Sequence, residues 1–173
     1  MDDSATITIR QATKEDLNTL LDININSLRD LCSTILSADE LSGRIREERS
    51  AGWQKIFGAE SDEHTVFILC KNKMPIGFAD LQETEEEGEK IAYIHQLYFL
   101  PDYLGAGYGS ILMEHCKAFL ASKNWRRVHL WVSDFNSRAI YFYNKHGFEF
   151  DGMAKTVRWM EQDFTNLRCV AKL

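Results

Sequence analysis

At 173 residues, with 45% hydrophobic and 27% charged residues and only two prolines, the chain has the make-up of one ordinary globular domain spanning residues 1–173, large enough to bury its own core. Its net charge of -6 excludes a broad nucleic-acid-binding face, because neutralising phosphates requires a basic surface. No run of about 18 apolar residues exists to cross a bilayer, and residues 1–12 begin acidic where a secretion signal would begin basic, so the reading is a cytoplasmic protein with no membrane partner.

The first strand is predicted over Thr6–Arg10, where Ile7 and Ile9 alternate with polar neighbours. Thr13 then caps a helix in which Leu17, Leu20, Leu21, Asn24, Leu28 and Leu31 recur at helical spacing. A loop over Cys32–Ala38 leads to a second helix from Asp39 to about Ala51, with Leu41 and Ile45 inward. The apolar run Thr65–Cys70, a turn at Lys71–Lys73 and the strand Pro75–Leu81 read as a hairpin. Glu83–Lys90 is a charged, solvated tip before the next strand, Ile91–Phe99.

Four cysteines, Cys32, Cys70, Cys116 and Cys169, stand without C-x-x-C or histidine spacing, so neither a disulfide framework nor a metal site is indicated. Beyond Phe99 the chain reads Leu100-Pro101-Asp102-Tyr103-Leu104-Gly105-Ala106-Gly107-Tyr108-Gly109. Glycines here let backbone approach a ligand closely and aim the unpaired amides of a helix N-terminus at an anion, which we read as a diphosphate. The helix that follows places Ile111, Leu112, Cys116 and Phe119 on its inner face, and Val128, Leu130 and Val132 mark the next strand. Strand, helix and strand form a β-α-β unit, so the two strands should lie parallel.

Asn136 or Asp134 caps a short helix that ends at Gly147, and strands near Phe148–Met160 and Thr165–Leu173 close the chain. The order β-α-α-β-β-β-α-β-α-β-β is that of an α/β fold on a mixed sheet. In the short helix Asn136 and Tyr143 stand seven residues apart, two turns, so their side chains share a face.

Two motifs carry a family resemblance over nearly the whole chain. Leu104-Gly105-Ala106-Gly107-Tyr108-Gly109 is similar to the R/Q-x-x-G-x-G/A loop of the GNAT superfamily of acyl-CoA-dependent N-acetyltransferases. Asn136, Ala139, Tyr143, Lys145, Gly147 and Phe148 match its N-x-x-A-x-x-x-Y-x-K-x-G-F helix. The resemblance implies the GNAT fold: a mixed, mostly antiparallel sheet of about seven strands with four helices in a single domain. It also implies acetyl-CoA as co-substrate. Gly105 to Ser110 would hold its diphosphate through backbone N–H groups, and Leu97, Tyr98 and Phe99 would offer main chain to the pantetheine arm. Asn136 would contact the cofactor, and Tyr143 would protonate the leaving thiolate. Leu104 replaces the usual Arg or Gln, so one phosphate-binding side chain is missing; Lys123, Arg126, Arg127, Arg138 and Lys145 stand around the presumed mouth.

An amine of pKa about 10 must lose a proton before attacking a thioester, which calls for a base. His95 stands where polyamine-acetylating relatives carry an acid, with Asp80 and Glu83 next in order. The implied reaction is direct transfer in a ternary complex, with no acyl-cysteine and the Leu97 N–H holding the oxyanion. The acceptor is a primary amine, small-molecule or peptide, with Arg29, Asp30, Asp39, Glu40 and Trp53 as candidate lining. A catalytically silent acyl-CoA-binding module is the alternative from a different class. A nucleotide enzyme fits less well, since the loop lacks the lysine of a P-loop. The late strands, with Trp159, Phe164 and Val170, offer a surface for a homodimer.

Overall fold

The computed structural model describes residues 5–32, 38–58, 63–86, 88–159 and 162–173. Among these it forms seven strands and four α-helices: β1 Ile7–Gln11, α1 Leu17–Cys32, α2 Ala38–Gly58, β2 His64–Lys71, β3 Met74–Glu86, β4 Glu89–Phe99, α3 Tyr108–Ser122, β5 Arg127–Ser133, α4 Ser137–Lys145, β6 Glu149–Trp159 and β7 Gln162–Lys172. The predicted order of elements holds. The sheet runs β1-β2-β3-β4-β5-β7-β6, with β4 and β5 parallel at Tyr93↔His129 and antiparallel pairing from β1 to β2, β5 to β7 and β6 to β7.

Four elements, α2, β3, β4 and α3, differ from expectation. The second helix continues to Gly58, and the strands around the acidic tip reach Glu86 and restart at Glu89, so that the sheet carries the charged segment along against its residues' low strand propensity. The predicted loop over Cys32–Ala38 lies outside the described residues except at its ends, which are helical. On α3 the buried stripe is Leu112, Met113, Cys116 and Leu120, whereas Ile111 is exposed, a rotation of one residue from the predicted face.

The chain groups into two compact units, one of Met1–Asp80 with Gln96–Leu112 and the other of Leu81–His95 with Met113–Leu173. In the first, Leu20, Leu21 and Ile23 of α1 and Trp53 of α2 cover Val66, Ile68, Cys70 and Phe78. β2 is buried along Thr65–Cys70, which explains its unbroken apolar run. Asn72 and Lys73, with φ of 51° and 69°, supply the two left-handed residues of a tight β2–β3 hairpin turn. In the second unit Val128, Leu130 and Val132 point inward on β5, with Cys116, Leu120 and Phe148 in the same unit's core. No helix among the described residues is long and apolar enough to cross a membrane.

Candidate active site

The candidate residues fall in both units. In the first unit, β4 ends on Leu97 and Tyr98, both half-buried, and Phe99, which is buried. The Phe99 carbonyl accepts the Ser27 hydroxyl from α1, and Tyr98 packs on Phe78 at a centroid distance of 5.8 Å. The Tyr98 and Phe99 side chains thus pack within the first unit.

A 3-10 turn at Pro101–Tyr103 follows, and Leu104 leaves it in an extended conformation. Gly105 and Gly107 then adopt φ of +76° and +88°, a left-handed region that suits glycine, with nothing within 4 Å of the position a Cβ would occupy. The backbone therefore lies open on that side. α3 begins at Tyr108, where the Ser110 and Ile111 N–H groups turn back to the Gly107 carbonyl at 3.1 and 3.3 Å. The N–H groups of Gly105, Ala106, Gly107, Tyr108 and Gly109 find no backbone acceptor among the described residues. Open space and a run of undirected donors at a helix start fit a diphosphate, so the loop suits the co-substrate inferred for it.

Lys71, at the end of β2, was missed by the sequence reading. Its ammonium stands 5.6 Å from the Tyr103 ring and 5.5 Å from that of Tyr108, and its hydrogen bond with Tyr108 holds its pKa above the usual lysine value. Positive charge beside the loop is thus supplied from a hairpin some thirty residues upstream, where Leu104 supplies none. No local pattern marks it; only the fold of the first unit brings it there.

In the second unit, Asn136 caps α4, its Oδ1 accepting the Ala139 N–H at 3.1 Å. Asp134 does not serve as the cap. Tyr143 is half-buried, ring-packed on Phe142 and Phe148 at 5.5 and 5.8 Å. Its carbonyl takes the N–H groups of His146 and Phe148 at 2.9 and 3.1 Å as Gly147, φ +81°, turns the chain out of the helix. α3 clamps the same end: Lys117 Nζ donates to the His146 carbonyl at 3.2 Å, and Glu114 meets His146 Nδ1 at 2.9 Å. Tyr143 therefore stands on a helix tied at both ends. Tyr141, two residues away and on the other side of the helix, is 74% exposed.

Of the predicted bases, His95 is exposed on β4. Glu83 is held by Lys123 at 2.7 Å. Asp80 is completely buried and bound to His64 Nδ1 at 2.8 Å. Arg126, Arg127, Arg138 and Lys145 are exposed in the second unit. Among the proposed acceptor-lining residues, Trp53 is 1% exposed, stacked on Phe57 and edge-on to Phe78, so it is core and not lining. Arg29 is exposed; the side chains of Asp30, Asp39 and Glu40 lie outside the described residues.

The described cysteines are buried and free, and burial pushes the Cys116 thiol up to about 12. A thiol so protonated is a poor nucleophile, which disfavours an acyl-cysteine there. Among the described residues no cluster of histidine, cysteine, aspartate and glutamate has the make-up of a metal site.

A seven-stranded mixed sheet with a glycine cradle between its fourth strand and third helix is an arrangement that known acetyltransferases share. The fold is shared with the PaiA N-acetyltransferase of Thermoplasma acidophilum, solved in complex with coenzyme A, at a TM-score of 0.77 and 24% identity over 97% of this chain and 99% of that one. The model of the acetyltransferase (GNAT) family matches residues 26–148, and the chain belongs to that family. An uncharacterised N-acetyltransferase of Methanocaldococcus jannaschii is 29% identical over 83% of the chain, which spans only 61% of that relative's length. A spermidine N(1)-acetyltransferase of Thermoplasma acidophilum is 27% identical over 83% of this chain and 88% of its own.

Proposed function

We propose that the protein transfers the acetyl group of acetyl-CoA to a primary amine by direct attack within a ternary complex, with a small-molecule amine as acceptor. The observation that carries this is the open glycine cradle at Gly105–Gly109, its donors unclaimed and Lys71 beside it. Similarity to a protein named as a spermidine acetyltransferase supports an amine acceptor of small size.

In this reading Gly105 to Gly109 hold the diphosphate, the Ser110 N–H being taken by the Gly107 carbonyl, and the main chain of Leu97 to Phe99 holds the pantetheine arm, with Asn136 a further contact. The Leu97 N–H stabilises the oxyanion as the amine nitrogen bonds to the acetyl carbon. The carbon–sulfur bond then breaks, and the thiolate takes the Tyr143 phenolic proton. His95 is the base that the sequence position suggests. The surface for a second copy is that of the late strands carrying Trp159, Phe164 and Val170, all half-buried, together with the outward Phe150 and Met153 of the edge strand β6.

The test is a panel of alkylamines, polyamines, amino acids and peptides incubated with acetyl-CoA and scored by CoA release and product mass. Turnover of a small amine supports the reading; turnover of peptides alone moves the acceptor to protein termini or lysines. Tight acetyl-CoA binding with no turnover of any amine would make the chain an acyl-CoA-binding module.

A further inference from the structure

The fold brings a cation to the glycine loop of the first unit. Lys71 closes β2, and its backbone is fixed on both sides. Ile7 of β1 pairs with it, while Asn72, the next residue, gives its N–H to the Thr6 carbonyl at 2.8 Å and takes the Thr6 N–H on Oδ1 at 2.9 Å. The loop is tied to the same hairpin, since the Leu100 N–H donates to the Ile76 carbonyl at 2.9 Å and the Tyr103 N–H turns back to Leu100 at 3.0 Å. The end of β2 and the start of the loop are therefore set relative to each other.

Lys71 Nζ meets residues on both flanks of the cradle. It stands 5.6 Å from the ring of Tyr103, two residues before Gly105, and 5.5 Å from that of Tyr108, to which it is also hydrogen-bonded. The two rings meet edge to face at 6.1 Å. Tyr108 also carries one of the loop N–H groups that find no backbone acceptor among the described residues. A phosphate oxygen on that N–H sits about 3 Å from it. Little more than one tyrosine side chain then separates it from Lys71, inside the ~10 Å over which exposed charges attract at 0.1 M salt.

The partners of Lys71 leave its charge in place. Aromatic faces and a phenol are neutral, so they hold an ammonium without cancelling its field. Arginines of the same unit differ, for Arg10 is matched by Asp16 and Arg46 by Asp22, both at 2.6 Å. Among the described residues Lys71 has no ion pair. At position 104, where the family motif carries Arg or Gln, this chain has an uncharged, half-buried leucine.

We infer that Lys71 is a side-chain ligand of the acetyl-CoA diphosphate, held on Tyr103 and Tyr108 and supplying from β2 the contact that Leu104 cannot; this rests on the acyl-CoA reading of the cradle above. The flexible four-carbon stem lets Nζ turn from the Tyr108 hydroxyl to a phosphate oxygen while the stem stays on aromatic surface. A lysine acts there as a point charge, adding attraction without the bidentate geometry of an arginine.

The experiment is calorimetry on the full chain and its Lys71→Met, Lys71→Arg and Lys14→Met variants, with acetyl-CoA and with its 3′-dephospho form, at low and at high salt. Lys14 is an exposed lysine beyond the far end of β1, the strand whose first residue pairs with Lys71. Lys71→Met keeps the stem and removes the charge. It should raise the acetyl-CoA Kd about fivefold at low salt, the scale of an exposed charge pair, and less than about twofold at high salt, where such charges are screened. Lys71→Arg should restore most of the affinity, and Lys14→Met should leave it unchanged. The 3′-dephospho form keeps the diphosphate, so its loss should be as large. An unchanged Kd in Lys71→Met, or a loss indifferent to salt, overturns the assignment. So does a loss confined to acetyl-CoA, which moves the contact to the 3′-phosphate. A wild-type chain that binds no acetyl-CoA overturns the acyl-CoA reading and this assignment with it, whereas binding that Lys71→Met leaves intact overturns this assignment alone.

Discussion

Gly77 of β3 lies flat against the ring of Phe99 on β4, so closely that a Cβ at residue 77 would fall inside the space of the Phe99 Cδ1, Cε1 and Cγ atoms. Phe99 is the last residue of the strand before the glycine cradle, so its seating sets where the cradle begins. Gly77→Ala should destabilise the protein by about 1–3 kcal/mol, the cost of overpacking a full core. Adding Phe99→Leu should make the double variant less unstable than the two single losses summed, since the residues share one space. Urea unfolding of the four proteins measures both; additivity would show that the β3–β4 contact is not the source of the loss.

The cradle itself is tested at Gly107. Its φ of +88° strains any side chain, and a carboxylate there adds charge repulsion against phosphate. Gly107→Glu should abolish acetyl-CoA binding by calorimetry while the thermal transition shifts by only a few degrees. Normal binding would remove the loop from the site.

Tyr143→Phe keeps the ring that packs on Phe142 and Phe148 and deletes only the proton donor. About a hundredfold lower kcat is expected, with the acetyl-CoA Kd within about twofold of wild type. Unchanged turnover would show that water or another group protonates the thiolate.

A pH effect follows from the N-terminal turn. Arg10 donates to both oxygens of Asp16 at 2.6 and 2.7 Å, and the Thr13 N–H donates at 2.9 Å. These bonds, that of Arg10 foremost, hold the Asp16 carboxyl below its ordinary 3.8. A depressed carboxyl stabilises the fold at pH values above its unfolded pKa and loses that contribution as pH falls through the folded one. Asp16→Asn should therefore cost about 1 kcal/mol or less at pH 7, the scale of a pair with one exposed member. The difference from wild type should shrink as the pH drops below about 4. A gap in unfolding free energy that persists at low pH would mean that the charge is not its origin.

Much of this protein is written locally. Leucine spacing along α1, the Asn72–Lys73 turn and the glycines at 105, 107 and 147 state their conformations through steric and periodic rules that act over a few residues. The same is true of the motif pair that marks the family, because a phosphate cradle and a capped helix are each built from one short stretch. Asn24 was visible as a polar member of an apolar stripe, though its partner was not.

What tertiary structure decided was which distant residues meet. Nothing within a few residues of Asp80 shows that His64 binds it, since that contact depends on the register of two strands. Lys71 reaches Tyr108 only because the β2–β3 hairpin folds to the start of α3, and Trp53 leaves the candidate acceptor surface because α2 turns it onto Phe78. Local sequence determines backbone conformation and the cofactor motifs; strand register and helix rotation determine burial and pairing, and through them which acidic or basic group is available for chemistry.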